Sequence, residues 1–209
     1  LFGGWYFMGG FWGGLALTAL TMVALKRQDP DFDKAAGTQQ LWDMGKLCFA
    51  FTVFWTYLFW SQYIVIWYGK LPWEQEFIVV RSVERWAGMS TLMVVLCFFV
   101  PFATLIGKRP KMVPNWLAAV TGVILVGQWV WHYLMVVPSI HEEGPIMTIW
   151  EPLISLMFLG LFLGAVRWFL STFPIIQVWQ PMVDPESIEA ELGEEASAWK
   201  RHGQPIEGR

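Results

Sequence analysis

Residues 47–69 read Leu-Cys-Phe-Ala-Phe-Thr-Val-Phe-Trp-Thr-Tyr-Leu-Phe-Trp-Ser-Gln-Tyr-Ile-Val-Ile-Trp-Tyr-Gly, a stretch without a charged side chain. As an α-helix that rises 1.5 Å per residue, it would be about 35 Å long, more than the roughly 30 Å of hydrocarbon in a bilayer. A helix also pairs its own backbone amides, as lipid requires. The stretch therefore predicts a transmembrane helix.

The same kind of stretch recurs along the chain. Polar or proline-containing segments separate five candidate spans, at about 1–25, 41–69, 88–107, 115–137 and 150–173. Hydrophobic residues make up 56% of the chain and charged residues 15%, against about 25% charged residues in soluble domains. We therefore predict an all-α, polytopic transmembrane helix bundle in residues 1–175, with an acidic cytoplasmic tail in 176–209. A net charge of −3 does not suggest nucleic acid as a partner.

Two further helices are expected outside the spans. Segment 73–87 carries several charges, yet its apolar residues repeat at helical spacing: Trp73, Phe77, Val80, Val83 and Ala87. This pattern predicts a helix that lies in the membrane interface. In the tail, Asp184-Pro185-Glu186 has the order of a helix N-terminus and predicts a short amphipathic cytoplasmic helix. Beyond Trp199 we expect disorder.

The distribution of basic residues predicts the orientation. Nine lie on the side of the 26–40 and 108–114 connectors and the tail: Lys26, Arg27, Lys34, Lys108, Arg109, Lys111, Arg167, Lys200 and Arg201. The other side has Lys70, Arg81 and Arg85. By the positive-inside rule, the Leu1 end is periplasmic and the C-terminus cytoplasmic in a bacterial inner membrane. Since the first apolar stretch begins at once, without Met or a basic leader, we expect a piece of a longer protein.

Ligands for redox groups are scarce in this sequence. It has no Cys-x-x-Cys-His motif and no cysteine cluster, and of its three histidines only His132 lies in a span. Cys48 and Cys97 lie within apolar stretches, where packing is the default role. We expect this chain to bind no haem, metal or iron-sulfur cluster itself.

Polar groups within spans are costly in lipid and are the candidate functional residues. Asp43 and Lys46 lie three residues apart at the inner start of the second span, close enough to pair. They predict either an interfacial ion pair or the mouth of a cytoplasmic proton path. Ser61 and Gln62 lie deeper, where such groups bond neighbouring helices or continue that path.

The last two spans supply three more candidates. Gln128 and His132 are one helical turn apart, and an imidazole suits a proton relay or a hydrogen bond to quinone, although a bond to a backbone carbonyl is the simpler role. Glu151 begins the fifth span, where the helix dipole favours an acid. Arg167 reads as a snorkelling anchor.

Glycine pairs mark two spans for close packing. Gly9–Gly13 and Gly10–Gly14 in the first span, and Gly160–Gly164 in the fifth, place small residues on one helix face. We expect both helices to pack against protein.

The run from Phe54 to Pro72 carries a resemblance to a known family. Its order of Phe-Trp-Thr-Tyr, Ser-Gln-Tyr, Ile-Trp-Tyr and Leu-Pro resembles a signature helix of the F membrane subunit (ActF) of bacterial alternative complex III. Two weaker runs agree, Tyr133 to Pro138 at the end of a span and Trp150-Glu151 at the start of the next. The pair Trp131-His132 stands where the family often has an acid, one or two residues before the Tyr.

This resemblance implies a polysulfide-reductase-type membrane subunit in a complex that oxidises quinol and passes electrons to cytochrome c or a similar periplasmic acceptor. Quinol or quinone, haem c and iron-sulfur clusters would then be bound by partners: a related quinol-binding membrane subunit, an iron-sulfur subunit and c-type cytochrome subunits, with lipids around them. The chain would be the C-terminal half of such a subunit, non-catalytic by itself, with a proton half-channel. The polar residues of the spans are the candidates for that path: Asp43, Lys46, Ser61, Gln62, Gln128, His132 and Glu151.

Two other classes of function stay open at the level of the sequence. One is half of a secondary transporter, which the lack of breaks at the centres of the spans disfavours. The other is a purely structural membrane scaffold.

Overall fold

The computed structural model describes residues 1–82, 84–141, 144–145 and 148–173, and these are helical almost throughout, with no strand among them. The helices are α1 (Phe2–Gln28), α2 (Pro30–Ala35), α3 (Thr38–Gly69), α4 (Pro72–Ser82), α5 (Glu84–Val94), α6 (Val100–Leu105), α7 (Lys108–Met112), α8 (Pro114–Val136) and α9 (Trp150–Thr172). A π-helical turn, Val95–Phe99, joins α5 to α6, and a 3-10 turn, Val137–Ser139, follows α8.

Five helical segments are long and apolar enough to cross a membrane: α1, α3, Arg85–Leu105, Pro114–Ser139 and α9. The predicted all-α bundle of five spans is therefore confirmed, and each predicted end lies within three residues of the observed one. The tail helix predicted after Asp184 lies outside the described residues.

The chain divides into two compact units, Leu1–Leu163 and Gly164–Arg209. In the second unit, the described residues 164–173 complete α9. The hydroxyls of Ser171 and Thr172 both donate to the Trp168 carbonyl at 2.8 Å, as expected of hydroxyls that have no other partner near a helix end. Arg167 is exposed.

The core of the first unit is a cluster of four tryptophans, Trp5, Trp12, Trp55 and Trp131, contributed by α1, α3 and α8. Each is at most 2% exposed. The ring centroids of Trp5 and Trp131 are 5.1 Å apart, and those of Trp55 and Trp131 are 5.6 Å apart. The Trp12 indole N–H donates to the Cys48 carbonyl at 3.2 Å, which ties α1 to α3.

Gly9 explains how α1 approaches α8 so closely. It is buried on the inward face of α1, and a Cβ built there would overlap the indole ring of Trp131. A glycine at this position lets the tryptophan lie against the helix backbone. The predicted packing of the first span against protein is confirmed.

The third span is not a continuous α-helix. In the π-helical turn the Val100 amide bonds the Val95 carbonyl, five residues back. The next residue, Pro101, lacks an N–H, and in a regular α-helix its ring would crowd the Cys97 carbonyl, so a wider turn relieves both problems. The span nevertheless runs on from Arg85 to Leu105, so the π-helical turn changes its winding without interrupting it.

The helix predicted at 73–87 is observed as Pro72–Ser82, because residues from Glu84 onward belong to the third span. The apolar pattern does not set its buried face. Trp73 is 70% exposed, whereas Arg81 is the buried residue of α4.

Candidate functional site

Asp43 and Lys46 form the ion pair predicted at the N-terminal end of α3. The Lys46 Nζ lies 2.6 Å from Asp43 Oδ1, and each side chain is about half exposed, at 48% and 49%. The Gln39 amide donates to the same carboxylate at 3.3 Å. The pair is thus confirmed, while its use as a proton entrance stays a prediction.

Ser61 and Gln62 lie on α3, both half-buried. The Gln62 Oε1 atom is shielded from solvent, and no donor among the described residues reaches it. The predicted bond from this amide oxygen to a neighbouring helix is therefore not formed within the described part of the chain.

Gln128 and His132 share a face of α8, as their spacing predicts. The His132 Nδ1 lies 2.7 Å from the Gln128 carbonyl oxygen. Since a carbonyl oxygen only accepts, Nδ1 is the donor of this bond. The simpler of the roles predicted for this imidazole, a hydrogen bond to a backbone carbonyl, is therefore observed. The Gln128 side chain is 5% exposed, and neither of its amide atoms has a partner among the described residues.

Glu151 lies in the first turn of α9, as expected. Its backbone carbonyl accepts from the Ser155 hydroxyl at 2.8 Å, and that hydroxyl in turn accepts from the Trp129 indole N–H at 3.0 Å. This short chain of bonds joins α9 to α8 within the first unit.

The structure does not join these candidates into one path. No hydrogen bond between described residues links Asp43 and Lys46 with Gln62 or with His132. Along α3 the 19 residues from Asp43 to Gln62 span about 28 Å. The hydroxyl of Thr52, between them, donates to the Cys48 carbonyl of its own helix.

Arg81 is a buried polar residue that the sequence analysis counted only as one of the charges of the predicted interfacial helix. Its guanidinium donates to the carbonyls of Leu134 and Met135 at 2.9 Å each, and to the Ser139 hydroxyl at 3.1 Å. A cation at the C-terminus of α8 is favoured by the helix dipole. Burial lowers the pKa of Arg81 to about 10, so the group stays charged at neutral pH. The sequence feature that could have indicated this role is the spacing of four residues between Phe77 and Arg81, which places both on one face of α4.

A cavity of about 120 Å³ lies beside this arginine. Its wall is mostly apolar and includes Trp5 and Trp131. Its polar members include Arg81, Ser82 and Ser90. The Ser90 hydroxyl donates to the Arg81 carbonyl at 2.6 Å. A few water molecules or one small polar group would fit.

Metal sites in proteins are built from His, Cys, Asp and Glu side chains. Within the described ranges, no group of three or more His, Cys, Asp or Glu side chains comes together as a metal site would require.

Comparisons with known proteins found no relative of this chain. No protein-family model matches the chain, and no curated protein matches it.

Proposed function

We propose that this chain is a membrane subunit of a quinol:electron-acceptor oxidoreductase complex, in which it packs against a related quinol-binding membrane subunit. Haem c and iron-sulfur clusters are bound by partner subunits. The resemblance of the run Phe54 to Pro72 supports this function, and so does the surface that this run presents.

That surface is an aromatic ladder formed by Trp60, Tyr63 and Trp67 on α3, and it is the observation that carries the proposal. Neighbouring rings are stacked, with centroids 5.5 Å apart for Trp60 and Tyr63 and 5.9 Å for Tyr63 and Trp67. Trp60 is 58% exposed and Trp67 is 53% exposed. Exposed Trp and Tyr in an ordered row are typical of protein interfaces.

The first-unit residues of α9 offer a second uncovered surface. None of them is buried, and large apolar side chains are at least half exposed at Leu156, Phe158 and Leu161. A Cβ at Gly160 would have no atom within 4 Å. The described residues therefore do not form the predicted close packing at this glycine, and we assign it to a neighbouring subunit.

The test is co-purification of partners from a strain that makes the chain with an affinity tag. We expect c-type haem absorbance and a second polytopic subunit to travel with the wild-type chain. The double substitution Trp60→Ala/Trp67→Ala should remove both while the chain stays in the membrane. Trp116→Ala is the matched control, since this residue is 50% exposed on α8 and outside the ladder. Haem-free wild-type preparations would contradict the proposal.

The orientation is part of the same proposal, with the Leu1 end periplasmic and the C-terminus cytoplasmic. The native thiols Cys48 and Cys97 are fully buried and give little background in labelling. A cysteine at Ile140, which is 80% exposed, should react with an impermeant maleimide in intact cells, and one at Arg109 should react only after lysis. The reverse result would refute this topology.

The π-helical turn in the third span is the observation that favours the transporter alternative, since transport sites are built where spanning helices depart from regular α-helix. Here, however, Cys97 of that turn is fully buried, with its sulfur close to Gly127 of α8. Substrate-dependent uptake by proteoliposomes that hold the chain alone would support the transporter instead.

A further inference from the structure

Three lysines converge at the end of the bundle where α7 packs on α3. Lys46 of α3 and Lys108 of α7 both place their Nζ over the ring of Trp42, at 4.4 Å and 4.8 Å from its centroid. Lys111 of α7 places its Nζ 4.8 Å from the ring centroid of Phe49. We call Lys46, Lys108 and Lys111 the lysine triad.

Lys111 is buried because α7 packs closely against the backbone of α3. Lys111 is 9% exposed, and a Cβ built on Gly45 would lie 2.7 Å from its Cβ atom. A glycine at position 45 thus lets α7 lie directly on α3. Desolvation lowers the pKa of Lys111, and the positive charge of Lys46 lowers it further.

Within the part of the chain that the structure describes, carboxylates do not balance the charge of this triad. Asp43 pairs with Lys46. Among the described residues, no carboxylate lies within 4.0 Å of Lys108 or Lys111. Elsewhere at the same end, Lys26 has its own partner in Asp33 at 2.8 Å. Like charges held together at a membrane interface favour an anion between them.

We propose that the lysine triad, with the ring of Trp42, binds the phosphate headgroup of an anionic phospholipid. The site lies where one helix ends its span and the next begins, which is the level of lipid phosphates. Its ammonium groups can contact the non-ester oxygens of a phosphodiester, while the indole lies at the headgroup level that tryptophan prefers. The acyl chains would then follow the exposed apolar side chains of α3, such as Leu47 and Phe54.

The site is independent of the proposed electron-transfer role, and native mass spectrometry of the purified full chain tests it directly. Dioleoyl phosphatidylglycerol and dioleoyl phosphatidylcholine are the probes, which differ in charge but not in chains. We expect phosphatidylglycerol to bind at least fivefold more tightly than phosphatidylcholine. Lys108→Gln should lower that preference about fivefold, since one lysine near a lipid surface contributes about that factor. Lys108 is exposed, so this substitution leaves the core intact.

Lys70→Asn is the matched control. It removes one charge at the opposite end of α3, and asparagine tolerates the left-handed backbone observed there, with φ of 52°. The control should keep the wild-type preference. Equal loss in Lys70→Asn and Lys108→Gln, or no preference in the wild type, would overturn the lipid site. Displacement of the bound lipid by millimolar inorganic phosphate would also overturn it, because a free anion would then suffice.

Discussion

The helix α3 has two parts, one up to Leu58 and one beyond it. They are alike in sequence, but the first is packed within the protein and the second is largely exposed. Up to Leu58, a buried residue recurs at nearly every turn: Leu41, Gly45, Cys48, Thr52, Trp55 and Leu58. Beyond Leu58 only Ile66 is buried among the residues of the helix. Yet both parts are rich in tryptophan and tyrosine, and neither has a charge after Lys46.

This difference shows what an aromatic side chain does in each setting. In the first part, Trp55 packs into the tryptophan cluster and helps to hold three helices together. In the second part, Trp60 and Trp67 stack along their own helix and leave their outer faces free. The first part therefore stabilises the fold, whereas the second is available to a neighbour.

The largest expected effect separates the two parts by stability. Trp55→Ala should lower the free energy of unfolding by about 3–5 kcal/mol, because it opens a cavity among three other tryptophans. Trp60→Ala should change it by less than about 0.5 kcal/mol, as for other exposed positions. Both changes in the free energy of unfolding can be measured in bicelles by steric trapping. Similar losses for the two variants would erase the distinction.

A smaller loss of stability is expected from a substitution at the close contact between α1 and Trp131 of α8. Gly9→Ala should cost about 1–3 kcal/mol, since its methyl group would meet the indole ring. Gly10→Ala, with no atom within 4 Å of its new Cβ, should be near neutral. The same unfolding assay applies. A neutral Gly9→Ala would mean that α1 shifts freely, and that the cluster does not fix the helix.

The next largest effect is expected at the hydrogen bonds between Arg81 of α4 and the C-terminal end of α8. Arg81→Met should lower the free energy of unfolding by about 1–2 kcal/mol, because two carbonyls at the end of α8 lose their donor. Lys70→Asn, which also removes a positive charge, should not. If both variants unfold alike, the charge of Arg81 matters and its hydrogen bonds do not.

The smallest effect on the fold is expected at the start of α3. Asp43→Asn breaks an ion pair that is about half exposed, so no measurable change in stability is expected. If the pair is the mouth of a proton path, the protons translocated per quinol should fall in proteoliposomes that hold the intact complex. An unchanged ratio would leave the pair as an interfacial anchor, and Lys46→Gln would then behave in the same way.

The five spans could be predicted because charge-free stretches of about 20 residues have few alternatives in lipid. The pair of Asp43 and Lys46 followed from helical spacing alone. The bond from His132 to the Gln128 carbonyl was likewise among the expected roles, since it lies within one turn.

What the sequence did not reveal depends on distant contacts. Arg81 is buried because the carbonyl end of α8, more than 50 residues later, lies against it. Lys111 is buried because α7 packs on Gly45 of another helix. Which part of α3 enters the core also depends on α1 and α8, so hydropathy along α3 could not distinguish the two parts.

The π-helical turn in the third span has a geometric consequence. An α-helix advances about 100° per residue, so one extra residue rotates everything beyond the turn by that angle. The segment before the turn packs mainly on α8, whereas the segment after it contacts both α3 and α8. One continuous rod thus serves two sets of neighbours. Deletion of a single residue from Val95–Phe99 would realign its two faces and turn one of them away from its contacts.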